Sequence, residues 1–65
     1  MEEYQARVIS EKSDLDQKIV RLSSFIHSNR LNTADWEERF RLDRQLAIMM
    51  EYSKVLRNRI ENFLQ

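Results

Sequence analysis

A chain that contains no glycine and no proline has few inexpensive ways to change direction. Glycine supplies the left-handed backbone conformations that tight turns need, and proline fixes the angles that break a helix. Without either, 65 residues are best accommodated as long helix, interrupted only where polar residues with weak helix propensity cluster. Apolar residues recur at spacings of three and four nearly from end to end, which is the period of an α-helix with one covered face. The expected fold is therefore all-α: an antiparallel two-helix hairpin forming one domain over residues 1–65.

The first helix is predicted from about residue 2 to about residue 27. Tyr4, Val8, Leu15, Ile19, Leu22 and Ile26 trace its inner face, with Phe25 alongside. Glu3, Arg7 and Glu11 form a charge ladder at i, i+4, and Asp14 precedes Lys18 in the favourable acid-first order. Such pairs contribute only a few tenths of a kcal/mol each, so burial has to supply most of the stability. The break is predicted at residues 28–33, where Asn29 could adopt the left-handed conformation at a helix end and Asn32 or Thr33 could cap the next helix. The second helix is predicted over about 34–63. It starts with Asp35, Glu37 and Glu38, whose negative charge suits the positive end of the helix dipole. Its inner face is Leu42, Leu46, Met49, Leu56, Ile60 and Phe63.

Folding about residues 30 and 31 places Val8 beside Leu56, Leu15 beside Met49 and Leu22 beside Leu42. The same register sets Glu11 opposite Ser53 as a polar layer, a device that fixes alignment at some cost in stability. Phe40, Ile48, Met50, Val55 and Leu64 fall largely off the inner stripe, and Trp36 lies near the start of the second helix. One partner helix covers only one stripe. Trp36, Phe40, Ile48, Met50 and Val55 are therefore candidate interface residues, and assembly into a homo-oligomeric helical bundle is expected. Size points the same way. A domain this small buries only about 60% of its unfolded surface, and with no cysteine it lacks both disulfides and thiolate metal ligands.

Eleven basic residues balance eleven acidic ones, for a net charge of zero, which argues against general nucleic-acid binding. No apolar run approaches the roughly 20 residues of a membrane span, and the N-terminus lacks the pattern of a signal peptide, so a cytoplasmic protein is expected. Catalysis has little support. His27 is the only histidine and has no nucleophile at useful spacing; it is read as a helix-end residue. Glu37 and Glu38 are adjacent on a helix and point about 100° apart. Phosphate loops built on glycine are impossible. No enzyme activity, cofactor or metal is expected.

One constellation suits binding. The hairpin end away from the turn gathers Tyr4, Arg7 and Glu11 from the first helix with Tyr52, Arg59 and Asn62 from the second. Aromatic rings beside arginines can stack a base and pair a phosphate, which makes Tyr4, Arg7, Glu11, Tyr52 and Arg59 candidate residues for a nucleotide-like ligand. The alternative is a structural finish, in which arginine stems cover tyrosines at a seam edge. Arg39, Arg41 and Arg44, interleaved with Asp35, Glu37, Glu38 and Asp43, read as a solvated ion-pair face.

Tyr4, Arg7, Val8 and Glu11 make a Tyr-x-x-Arg-hydrophobic-x-x-Glu start. Gln45, Leu46, Met49, Tyr52, Val55, Leu56, Arg59 and Ile60 make a Gln-Leu-x-x-Met-x-x-Tyr-x-x-hydrophobic-Leu-x-x-Arg-Ile end. Together with the segments between them, these patterns resemble a largely uncharacterised family of small helical phage and prophage proteins related to a crAss-type phage gene product. The likeness covers nearly the whole chain, except that relatives have a longer or more acidic connection than residues 30–35. The resemblance implies a phage origin. Small helical phage proteins often act against host defences, and by that analogy of class an accessory protein that antagonises a host function is expected. Such a protein would sequester an anionic nucleotide-type signal in pockets between subunits, or block a host protein through an apolar helical face. A virion structural or assembly role is the third option.

Overall fold

The computed structural model describes residues 1–28 and 35–63. Two helices make up the fold, α1 over Glu3–Ile26 and α2 over Trp36–Phe63. They pack against each other along a rod of 49 × 15 × 13 Å. Residues near the start of α1 meet residues near the end of α2, so the pair is antiparallel. The expected break, including Asn29 and the Asn32 or Thr33 cap, lies outside the described residues, as does Leu64.

Both described helix starts carry their own caps. The backbone N–H of Glu2 donates to Gln5 Oε1 at 2.9 Å, so a side chain from the first turn reaches back over the helix end. Asp35 begins α2: its Oδ1 accepts the Glu38 N–H at 3.2 Å and its carbonyl accepts the Arg39 N–H at 3.1 Å. Asp35 thus acts as a cap rather than as a first-turn residue, while Glu37 and Glu38 remain in the first turn where the dipole favours them. At the end of α1, the N–H of His27 donates to the Ser23 carbonyl at 3.1 Å, and the His27 Nδ1 lies 2.7 Å from the same oxygen. The Ser28 hydroxyl donates to the Phe25 carbonyl at 2.7 Å. These bonds satisfy carbonyls that the helix leaves open, and His27 takes the helix-end place its position suggests.

The core is one thin layer. Val8, Leu15 and Leu56 form its centre, with Ile19, Met49, Ile60 and Phe63 packed against it half-buried. Leu56 is 1% exposed, the one fully buried large side chain among the described residues. At the open end the Tyr4 and Phe63 rings meet edge to face, with centroids 5.7 Å apart and planes at 82°.

The expected neighbours Val8 and Leu56, and Leu15 and Met49, share one core cluster, but the ring and polar contacts between the helices are offset by about one turn from the expected register. Tyr4, expected near Ile60, meets Phe63; Asp16, expected near Ile48, meets Ser53. Consequently the polar layer is not Glu11 with Ser53. The Ser53 hydroxyl donates to Asp16 Oδ1 at 2.6 Å, and Lys12 Nζ holds Asp16 Oδ2 at 2.6 Å. Glu11 and Asp16 stand about 140° apart round α1, at opposite edges of its seam, so axial alignment decides which carboxylate Ser53 reaches. The observed alignment gives Tyr4 a ring to pack on and leaves Glu11 exposed.

Truncating Leu56 to alanine removes the centre of this layer. The expected loss is about 2–5 kcal/mol, comparable with the whole stability of roughly 3–5 kcal/mol that one core supplies at this size; urea unfolding followed by circular dichroism measures it. Asp16 gives a second test. The hydrogen bonds from Lys12 and Ser53 hold its carboxyl below the ordinary value of 3.8. Its contribution is therefore fully present above that value and is lost as pH falls through the lower folded one. Asp16→Asn should flatten the acid limb of stability against pH, and an unchanged limb would contradict the assignment.

Candidate functional site

Arg7, Glu11, Asp14 and Lys18 follow one another at steps of four, three and four, which puts them along one edge of α1. Tyr52 of α2 faces that edge. With Ser10 and Leu15 they line an open groove of about 450 Å³. Leu15 belongs to the core, so the floor of the groove is rigid apolar packing and its rim is charged.

The charges on this rim are largely uncommitted. Arg7 Nη1 lies 3.1 Å from Glu3 Oε1, but the two side chains are 69% and 87% exposed, a pair that water screens almost completely. Asp14 and Lys18, spaced for an ion pair, do not form one. Among the described residues, Lys18 has no ionic partner. The Tyr52 ring is 44% exposed beside them. A cation at each end, two carboxylates between them and an aromatic face constitute a mixed-charge surface.

Of the five residues expected to bind ligand, the structure gathers Arg7, Glu11 and Tyr52. It does not bring Tyr4 or Arg59 to them: Tyr4 packs on Phe63, and Arg59 is exposed outside the groove. Asp14 and Lys18 line the groove without having been singled out as ligand residues. Their signal was the spacing they share with Arg7 and Glu11. Asn62 turns back to its own helix, donating to the Asn58 carbonyl at 2.8 Å.

A wider groove of about 660 Å³ runs along the other edge of α1, past Ile9, Lys12, Asp16, Val20 and Arg21 to Ile60. Its Lys12–Asp16 pair is engaged with Ser53, so most of its polar capacity serves the seam. On α2, Trp36, Phe40, Ile48 and Val55 are 69%, 63%, 60% and 56% exposed. They spread over about 120° of the outer surface of α2, with Phe40 opposite the seam, and Met50, also exposed, lies beyond Trp36 round the helix. In the arginine-rich segment, Arg39 pairs with Asp43 at 3.5 Å and Arg41 with Glu38 at 2.9 Å, the expected solvated face, while Arg44 has no ion pair. Among the described residues no group of three or more His, Cys, Asp or Glu side chains is placed to hold a metal ion, and no helix is long and apolar enough to cross a membrane.

Fold and site together define a small helical hairpin that presents a charged, aromatic-edged groove on one side and an apolar stripe on another. The family model of Sequestin matches residues 2–62, and the chain belongs to the Sequestin family. No curated protein and no solved structure matches it significantly.

Because the Arg7 and Lys18 heads stand in solvent, neither holds the fold. Arg7→Ala and Lys18→Ala should each change stability by less than about 0.5 kcal/mol, as measured by urea unfolding. A loss of several times that would make them structural residues and remove them from the candidate site.

Proposed function

We propose that this protein is a non-enzymatic phage accessory protein that acts in the host cytoplasm by sequestering an anionic nucleotide-type signal, and so antagonises anti-phage defence. The observation that carries the reading is the groove of Arg7, Glu11, Asp14, Lys18 and Tyr52. Arg7 and Lys18 suit phosphate oxygens, the Tyr52 ring offers a stacking face, and Glu11 and Asp14 can accept hydrogen bonds from ribose hydroxyls. The family's name denotes sequestration, which needs binding and no chemistry. A groove open along one side buries too little of a small molecule to hold it tightly. The sequestering form is therefore an oligomer in which a neighbouring copy closes the groove.

A second reading, direct inhibition of a host protein, is favoured by the exposed stripe of Trp36, Phe40, Ile48 and Val55. A tagged pull-down in which one host protein is recovered by the wild type and lost with Phe40→Asp would support it.

Thermal shift and calorimetry against cyclic nucleotides and ADP-ribose derivatives test the first reading. A ligand at a hundred times its Kd adds about 2.7 kcal/mol, which raises the Tm of a domain this small by roughly 10–20 °C. Arg7→Ala and Tyr52→Ala should abolish the shift while the helical circular dichroism signal stays intact. Silence across the panel, or binding that ignores both substitutions, removes the nucleotide reading.

A further inference from the structure

We propose that α2 pairs antiparallel with α2 of a second copy, about a two-fold axis passing between Ala47 and Ile48. The helix has two apolar faces. One, with Met49, Leu56 and Ile60, is covered by α1; the other, with Trp36, Phe40, Ile48 and Val55, spreads over about 120° of the outer surface and is exposed. From Trp36 to Val55 this outer stripe runs about 29 Å along a straight helix. Arg44 lies within it between Phe40 and Ile48, and Glu51 between Ile48 and Val55, so a partner on this face has to match both charges.

The charges identify the occupant. Four ion pairs within α2 account for Glu38, Arg39, Arg41, Asp43, Glu51, Lys54, Arg57 and Glu61. Among the described residues, the α2 charges without an ion pair are Glu37, Arg44 and Arg59; the first two lie on the outer face itself and Arg59 at its edge. Arg44 and Glu51 lie equally far on either side of the Ala47–Ile48 midpoint. Under the two-fold operation Arg44 therefore stands across from Glu51 of the second copy, and Glu37 comes beside Arg59 of the second copy. Phe40 stacks against Val55, and the Ala47–Ile48 steps cross at the axis, where the small alanine admits the isoleucine. Each contact occurs twice, as an isologous interface requires. A parallel in-register pair would instead set Arg44 against Arg44 and Glu51 against Glu51, like charges that disfavour it. The zero net charge of the chain adds no long-range repulsion between copies. Arg59, which the hairpin leaves outside the ligand groove, thereby acquires a role at the interface.

Sedimentation equilibrium on the full 65-residue chain tests the pairing. The wild type should show a reversible species at twice the protomer mass of 8.0 kDa, or an even multiple of it. Arg44→Glu and Glu51→Arg should each raise the dissociation constant by about tenfold or more, since each disrupts two pairs. Mixing these two single variants should restore association, because every cross-axis contact is then acid to base, and so should combining both changes in one chain. Ile48→Asp, outside the seam, should give a helical monomer by circular dichroism. A wild type that stays monomeric, charge swaps that move nothing, or mixed swaps that fail to rescue would each overturn the proposal. A monomer that captures one host protein through the stripe would overturn it in favour of a foreign partner. The interface rests on the stripe and not on the groove, so rescued swaps in a protein that binds no nucleotide would keep it and remove only the sequestration reading.

Discussion

The burial of Leu56 between Val8 and Leu15 is the interaction on which the hairpin depends. Ordering each residue costs about 1–2 kcal/mol of conformational entropy, and a single layer of side chains between two helices has little apolar area with which to offset that cost. Helical hydrogen bonds are satisfied within each helix and add no preference for the folded pair. The seam alone makes the two helices one structure. Its neighbours Ile19, Met49, Ile60 and Phe63 remain half-exposed, so little of the apolar contribution is in reserve. A fold this thin has every physical reason to take further stabilisation from whatever covers its flanks.

Apolar side chains set the faces of the helices but leave their axial alignment soft, since a shift by one turn exchanges one leucine for another. The Ser53–Asp16–Lys12 chain of contacts is what distinguishes one alignment from the next. It sits at the edge of the seam rather than at its centre, where water still reaches it, so its role is to select an arrangement more than to stabilise it. The Tyr4–Phe63 contact at the far end selects the same alignment independently.

This division explains what could be read in the sequence. The period of three and four identified Val8, Leu15, Ile19, Leu56 and Ile60 as inward, because the rotational position of a residue follows from its number alone. Axial offset does not. It depends on the connecting segment and on contacts between distant residues, and so Ser53 was matched with Glu11 when its partner is Asp16. Arg7, Glu11, Asp14 and Lys18 lie on one helix and needed no offset to be grouped. The start of α2 was ambiguous for another reason: Asn32, Thr33 and Asp35 are all competent caps, and only the bond from Asp35 to the Glu38 N–H distinguishes among them.

The edge of α1 that carries Arg7 and Lys18 is continuous helix with no residue able to kink it. Eleven residues at a fixed rise hold their backbones about 16 Å apart, and no loop movement can shorten that span. The surface is therefore a ruler. On the proposed sequestration reading, a ligand with anionic groups at both ends and a ring between them suits this edge better than one with a single anionic group. Selection among ligands would then follow their length, a property that the sum of charges on the groove does not reveal.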